Sequence, residues 1–340
     1  MVPPTAAPLC GLNNNMALPL GTRIPAVLDR SIVLELVRVT EAAALAASDW
    51  MGRGDKESAD QAAVDAMRRA LNELDISGRV VIGEGEIDEA PMLYIGEKLG
   101  RGGVELDIAV DPLEGTTLTA KGGDNALAVI AAAEGGKFLH APDVYMDKLV
   151  VGPGMDVASF TLDMPVADVV AMAARQKGVP VRDLVVCMLD KPRQQDLIEA
   201  VRKAGARLRL IPDGDVSGAI ACAVPDSGVD LLLGRGGAPE GVLAAAALRC
   251  LGGGMLGRLH FRNDEERTRA HALGLTDLTR TYTTTDLAGG EVVFAATGVT
   301  NGAFLQGVRR VPGGVMTDSV VMRSATGTVR WVKTRHRRAP

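Results

Sequence analysis

A regular alternation of helix and strand patterns between residues 165 and 251 constrains the fold more than any other feature of this sequence. Each apolar run of strand length is followed by a segment in which apolar residues recur with the period of a helix. Strands that alternate with helices form βαβ units, so the pattern predicts an α/β fold with a mostly parallel sheet. The predicted elements are helix Val166–Lys177, strand Leu184–Leu189, helix Arg193–Ala204, strand Arg207–Ile211, helix Val216–Ala223, strand Val229–Leu233 and helix Val242–Leu251.

Polar clusters follow three of these predicted strands. They are Asp190-Lys191-Pro192-Arg193, Asp213-Gly214-Asp215 and the glycine-rich run from Gly234 to Gly241. Ligands on such sheets bind beyond the carboxyl ends of the strands. The second half of the chain is therefore expected to face a binding cleft.

The first half mixes adjacent strands with helices and is α+β in character. Ser58-Ala59-Asp60-Gln61 fits a capping box at the start of a helix, and Glu134-Gly135-Gly136-Lys137 fits the turn of a hairpin. The predicted helices are Ser31–Met51, a second helix that starts near Ser58, and Pro91–Leu99. The predicted strands are Arg79–Gly83, Leu106–Val110, Asn125–Glu134, Lys137–Leu139 and Met146–Val151. Beyond residue 254, we predict helix Asn263–Ala272 and strands Glu291–Thr297, Ser319–Met322 and Thr328–Val332.

These patterns divide the chain into four parts. Residues 1–29 are predicted to form a disordered leader, because they lack helical or strand periodicity and the features of a secretory signal. Met16 is an alternative start. Residues 30–164 predict an α+β domain and residues 165–332 an α/β domain. Residues 333–340 predict a basic tail, solvated and frayed.

Composition excludes several classes of function. A net charge of −5 and 3% aromatic residues argue against nucleic-acid binding. No apolar run approaches the length of a membrane span. Cys10, Cys187, Cys222 and Cys250 contain no C-x-x-C pair, which favours inert thiols in a reducing cytoplasm over a redox disulfide.

The segment Asp111-Pro112-Leu113-Glu114-Gly115-Thr116-Thr117 carries the strongest chemical signal. It follows a predicted buried strand that ends at Asp111, and Pro112 and Gly115 favour a turn before a helix. Asp60 and Glu84 also lie at element boundaries. Four carboxylates without a nearby histidine favour Mg²⁺ or Mn²⁺ over Zn²⁺. Each also has an explanation without a metal: Asp60 as a partner of the helix dipole, Glu84 as part of a solvated acidic loop, and Asp111 and Glu114 as turn formers.

The acidic segment from Gly83 to Pro91 (GEGEIDEAP) favours a bound cation, because clustered carboxylates repel one another. With the other motifs, the chain resembles the class II fructose-1,6-bisphosphatases of the lithium-sensitive, metal-dependent sugar phosphatase superfamily. The resemblance covers residues from about 31 to 328. Its segments are Gly52–Lys56 with Asp60, Val81–Gly100, Asp111–Thr117, Ala141–Met146, Lys191–Arg193, Asp213–Asp215 and Gly236–Gly241.

The resemblance implies a layered αβαβα sugar-phosphatase fold with a metal-binding first domain and a sugar-phosphate-binding second domain. It implies that Asp60, Glu84, Asp111 and Glu114 are metal ligands, with Thr116, Asp111 and Glu114 catalytic. The implied substrate-binding residues are Glu114, Gly115, Thr116, Tyr145, Lys191, Pro192, Arg193, Asp213, Gly214, Asp215, Gly237 and Glu240.

The implied reaction is in-line hydrolysis of fructose 1,6-bisphosphate by metal-activated water, serving gluconeogenesis. A sedoheptulose 1,7-bisphosphatase, or an enzyme with both activities, stays open, and a non-catalytic sugar-phosphate-binding module is the alternative outside enzymes. The resemblance also implies Mn²⁺ or Mg²⁺ as the cofactor and a cytoplasmic homo-oligomer, either a dimer or a tetramer.

Overall fold

Two β-sheets separate three layers of helices in the computed structural model, which describes Leu28 and residues 31–84 and 93–337. The helices are α1 (Ile32–Ser48), α2 (Lys56–Asn72), α3 (Thr116–Lys121), α4 (Val166–Lys177), α5 (Gln195–Ala204), α6 (Asp215–Ala221), α7 (Ala238–Leu251), α8 (Asp264–Ala272) and α9 (Thr284–Leu287). The strands are β1 (Ile76–Ile82), β2 (Lys98–Leu99), β3 (Val104–Glu114), β4 (Leu127–Glu134), β5 (Tyr145–Val151), β6 (Val185–Leu189), β7 (Arg207–Ile211), β8 (Leu231–Gly237), β9 (Gly254–His260), β10 (Thr281–Thr283), β11 (Val292–Gly298), β12 (Arg309–Val311), β13 (Gly314–Arg323) and β14 (Thr328–Arg337).

Both sheets are mixed. The first has the strand order β12-β13-β11-β4-β3-β1-β2, with β14 paired to β13, and the second has the order β10-β9-β5-β8-β6-β7. In the second sheet β6 runs parallel to β7 and β8, whereas the β5–β8, β5–β9 and β9–β10 pairs are antiparallel. The α/β fold class is confirmed, but the expectation of a mostly parallel sheet is wrong, because β5 precedes the alternating segment and inserts antiparallel to its neighbours.

Three apolar cores lie between the five layers. Helices α1 and α2 pack on the outer face of the first sheet, through residues such as Leu36 and Met67. Helix α7 is buried along most of its length between the two sheets, and its run of alanines (Ala244–Ala247) lets both sheets approach it closely. Helices α4 and α5 cover the far face of the second sheet. This order is the expected αβαβα layering.

Local departures from the predicted elements have local causes. Helix α2 begins at Lys56, because Asp55 accepts a hydrogen bond from the Ser58 N–H and is the N-cap in place of Ser58. The predicted strand Lys137–Leu139 contains only a single bridge, from Phe138 to Ala288, so the predicted hairpin is wrong.

Two further segments differ from expectation. Residues 93–99 contain no helix and end in β2, so the predicted helix Pro91–Leu99 is wrong over its described part. The chain from Lys333 to Arg337 is strand rather than frayed tail, because β14 pairs with β13 along its whole length. Of the predicted leader, only Leu28 is described, and it is buried; the other leader residues and residues 85–92 lie outside the described part of the chain.

The division into domains at residues 164 and 165 stays a prediction. The first sheet takes strands from residues 76–134 and from residues 292–337, and the second takes strands from residues 145–283. Among the described residues, no helix combines the length and the apolar character that crossing a lipid bilayer would need.

Candidate active site

A bulge in β3 presents the two carboxylates of the Asp111–Thr117 motif. The strand does not end at Asp111 as predicted but continues to Glu114, and its pairing with β4 shifts register between these two residues. Pro112 has no N–H for the ladder, and the Leu113 N–H donates to Asp111 Oδ1 at 3.1 Å. The bulge replaces the strict alternation of a strand, under which residues three apart would face opposite sides.

Gly115 turns the chain from this bulge into α3. Its φ is +90°, and an added Cβ would lie 2.9 Å from Leu118 Cδ1. A side chain at this position would therefore be strained by the backbone and crowded by its neighbour. The predicted helix start is confirmed, since α3 begins at the half-buried Thr116.

Asp60 and Glu84 reach the same region from α2 and from the end of β1. Burial raises the pKa of Asp60 to about 6, and its Oδ1 is buried without a hydrogen-bond partner. Burial, followed by the charges of Asp60, Glu240 and Asp143, raises the pKa of Glu84 to about 8. Asp60 and Glu84 therefore repel each other electrostatically although 24 residues separate them in sequence.

Asp111, Glu114 and Glu240 complete the acidic cluster. Burial first, and then repulsion by neighbouring carboxylates, raises the pKa of all three, well above the ordinary range for Asp111 and Glu114. Glu240 was predicted as a substrate residue only, yet its charge acts on the predicted metal ligands Glu84, Asp111 and Glu114.

The donor chemistry of this cluster fits a hard divalent cation. One oxygen each of Asp60, Glu114 and Glu240 is buried without a hydrogen-bond partner, and a cation would offset their mutual repulsion. Within the described residues, however, no three Asp, Glu, His or Cys side chains are grouped so that they could hold a metal ion as they stand. Carboxylates reorient by side-chain rotation, which would let the orphaned oxygens converge on an ion. The assignment of the four metal ligands stays a prediction.

The carboxylate of Glu114 also connects the two sheets. Its Oε1 accepts a hydrogen bond from the Val216 N–H, in the first turn of α6, at 2.9 Å. The preceding residue, Asp215, is buried and accepts a hydrogen bond from Lys148 Nζ at 2.5 Å. Gly214, the residue before α6, has a φ of +88°, in the left-handed region that favours glycine.

A polar cavity of about 350 Å³ brings together most of the predicted sugar-phosphate residues. Lys191 Nζ lies 3.7 Å from Asp213 Oδ1 on one side. The guanidinium carbons of Arg193 and Arg262 lie 4.6 and 5.3 Å from the ring centroid of Tyr145. The cavity is lined by Asp143, Val144, Tyr145, Leu189, Lys191, Arg193, Asp213, Asp215, Gly236, Gly237, Glu240 and Arg262. Exposed Pro192 starts the short helical turn at 192–194 beside it.

A second cavity, of about 310 Å³, contains the acidic end of the site. Glu84 and Asp111 line it, together with apolar residues such as Leu243. Asp143 and Glu240 line both cavities. The acidic cluster and the polar cavity are therefore adjacent parts of one cleft.

The glycines of the run from Gly236 to Gly241 make room for charged side chains. An added Cβ at Gly237 would lie 1.9 Å from Glu240 Oε2, and one at Gly236 would lie 1.7 Å from Asp215 Oδ2. Glu240 itself is in the first turn of α7, with Pro239 just before it. The glycine content of this segment thus follows from the carboxylates that pack against it.

Three residues in or directly behind the cleft were missed from the sequence. Lys148 gave a signal, because it is a lone cation beside the apolar run Leu149–Val151 in a strand. Asp143 was part of a matching segment but received no role. Arg262 gave no local signal, since it reaches the cavity only through the sheet order that places β9 beside β5.

Comparison with known proteins agrees with this geometry. A family model described as bacterial fructose-1,6-bisphosphatase, glpX-encoded, matches residues 30–336. The chain is 47% identical over 322 residues to fructose-1,6-bisphosphatase 1 class 2 of Escherichia coli K12, covering 90% of this chain and 95% of that protein. The class 2 fructose-1,6-bisphosphatases of Escherichia coli O6:H1 and Shigella flexneri match with the same identity and coverage. The chain therefore belongs to the bacterial fructose-1,6-bisphosphatase family encoded by glpX.

Proposed function

We propose that this chain hydrolyses fructose 1,6-bisphosphate to fructose 6-phosphate and inorganic phosphate, in support of gluconeogenesis. One observation carries the proposal: the cavity that holds the acidic end, in which Glu84 and Asp111 are half-buried, adjoins a cavity with the cations Lys191 and Arg193, and Asp143 and Glu240 line both cavities. A bisphosphate requires such a site, with one end for the phosphate that is cleaved and another for the phosphate that is kept.

Asp60, Glu84, Asp111 and Glu114 would hold Mn²⁺ or Mg²⁺, since hard carboxylate oxygens without histidine suit these ions. When bound, such a cation supplies positive charge beside the scissile phosphate and lowers the pKa of a water molecule. Glu240 is an additional oxygen donor in reach of the same charges. The orphaned oxygens of Asp60 and Glu114 support this assignment.

The remaining residues bind and orient the substrate. Lys191 and Arg193 would hold the phosphate that is not cleaved, because both are cations that line the polar cavity. Asp213, Asp215 and Glu240 would accept hydrogen bonds from the sugar hydroxyls. The guanidinium groups of Arg193 and Arg262 both pack against the ring of Tyr145, and this ring would form a wall for the sugar.

At the acidic end, the Thr116 hydroxyl would orient the attacking water or donate to the leaving oxygen. Thr116 is the first residue of α3 and follows Glu114 by two residues, across the turn at Gly115, which supports this role. We also infer a cytoplasmic homo-oligomer, a dimer or a tetramer, which light scattering of the purified protein would establish.

A phosphate-release assay over a panel of sugar bisphosphates tests the proposed activity. Fructose 1,6-bisphosphate with Mn²⁺ or Mg²⁺ should release one phosphate per molecule, and excess EDTA should abolish the release. Sedoheptulose 1,7-bisphosphate in the same panel measures the related activity. A wild-type protein that binds fructose 6-phosphate but releases no phosphate with any divalent ion would instead establish a binding module.

A further inference from the structure

Lys148 is a buried lysine in the middle of the second sheet. It lies on β5 opposite Gly234 of β8 and Gly257 of β9, and it is 3% exposed. Its ammonium group donates to Asp215 Oδ2 at 2.5 Å. An ammonium group so deeply buried is costly unless a partner compensates it, so the pairing fixes both side chains.

Glycines clear the path that this side chain follows. An added Cβ at Gly236 would lie 3.2 Å from Lys148 Nζ, and one at Gly241 would lie 3.3 Å from Lys148 Cε. The same Cβ at Gly236 would collide with Asp215 Oδ2. The backbone is therefore shaped around the ion pair as a unit.

Lys148 lies behind the wall of the polar cavity, because its partner Asp215 lines that cavity and Lys148 itself does not. Asp215 forms part of that wall, with one oxygen held by the lysine.

We propose that Lys148 is a positioning residue for sugar recognition: it holds Asp215 Oδ2 so that the other carboxylate oxygen accepts a hydrogen bond from a sugar hydroxyl. This inference rests on the proposed function, since it assigns a role within the same cleft. A second Lys–Asp pair, Lys177 with Asp230, provides the contrast. Lys177 lies on α4 outside both cavities of the cleft, and its partner Asp230 accepts from the Val185 N–H, which is a structural role.

The Lys148→Met variant separates positioning from mere structural support. It should weaken the binding of fructose 6-phosphate, measured by calorimetry in EDTA, by about ten-fold, and raise KM for fructose 1,6-bisphosphate by a similar factor. The value of kcat should change by less than about three-fold. A purely structural defect would lower kcat by reducing the active fraction and leave KM and the Kd unchanged, as we expect for the control Lys177→Met.

Gly236→Ala tests the same geometry without removing a charge, and it decides the matter if Lys148→Met does not fold. The new methyl group would displace Asp215 Oδ2 and should reproduce the loss of fructose 6-phosphate affinity. Gly135→Ala is the matched control, because an added Cβ there meets nothing within 4 Å. Wild-type affinity in Lys148→Met, or in Gly236→Ala if only that variant folds, would overturn the inference. Absent phosphate release by the wild type would overturn the proposed function instead.

Discussion

Glu114 Oε1 accepts a hydrogen bond from the Val216 N–H at 2.9 Å, which joins the end of β3 in the first sheet to the first turn of α6 beside the second. The other oxygen of the same carboxylate is buried without a partner. One side chain therefore belongs both to the acidic cluster and to the helix that carries Asp215. Through it, the position of the sugar-facing residues depends on the end that is proposed to bind the cation.

Replacing Glu114 with Gln should abolish turnover while preserving the fold. The amide oxygen can still accept from the Val216 N–H, but the negative charge that a cation requires is lost. We expect phosphate release from fructose 1,6-bisphosphate to fall by at least about a hundred-fold. The urea midpoint without metal should stay equal or rise, because a buried and repelled charge has been removed.

Asp318→Asn is the matched control for this variant. One oxygen of Asp318 accepts from the Gln306 N–H, and the other is buried without a hydrogen-bond partner, as in Glu114. Asp318 lies on β13 and lines neither cavity of the cleft, so its amide variant should keep its turnover. Full activity in Glu114→Gln would remove Glu114 from the catalytic machinery.

The metal-free protein should lose stability as the pH rises from about 4 to about 8. The folded protein raises the pKa of Asp60 from 3.8 to about 6 and that of Glu84 from 4.5 to about 8. Between the unfolded and folded pKa values the folded state binds more protons than the unfolded state, so the free energy of unfolding falls with increasing pH. Urea denaturation in EDTA at several pH values measures this slope.

Mn²⁺ should remove most of that decline, because a divalent cation binds the ionised carboxylates of the folded protein and stabilises that state. Asp60→Asn should flatten the metal-free curve between about pH 4 and 6. A stability that rises through this range in EDTA would contradict the burial of the cluster.

The three described cysteines should be unreactive in the folded protein. Burial raises the pKa of Cys187 to about 11 and that of Cys250 to about 12, and raises the pKa of Cys222 well above its ordinary value. All three are free and buried, which agrees with the inert thiols predicted from their spacing. In a Cys10→Ser background, a thiol-disulfide reagent at pH 8 should label none of them until denaturant is added. Rapid native labelling would contradict the inert assignment.

Local sequence patterns predicted the helices and strands better than they predicted which strands are neighbours in a sheet. The alternation after Pro165 placed α4, β6 and β7 to within a residue or two, because apolar periodicity is a local property. The antiparallel insertion of β5 could not be predicted, since the choice of strand neighbours depends on how the sheets and α7 share one apolar core.

The candidate site shows the same limit. Short motifs identified Asp111, Glu114 and Glu240, because their glycine and proline spacing is visible in the sequence. The roles of Lys148 and Arg262 depend on contacts across the second sheet, 67 residues apart in the case of Lys148 and Asp215. The bulge between Asp111 and Glu114 also needed the structure, because a proline between two carboxylates fits a turn equally well.

Replacing Arg193 with Lys should raise KM for fructose 1,6-bisphosphate by about ten-fold and leave kcat within about three-fold. Arg193 Nε and Nη2 both donate to the Arg235 carbonyl, at 3.3 and 3.2 Å, while the guanidinium group packs on Tyr145. Lysine keeps the charge but cannot reproduce this fork, so the cation would lose its fixed position at the phosphate. Steady-state kinetics measures both constants.

Arg202→Lys, at an exposed pair with Glu199 on α5, is the matched control and should change neither constant. An unchanged KM in Arg193→Lys would mean that the phosphate contacts only a charge at this position, and not the oriented guanidinium group that the stacking on Tyr145 provides.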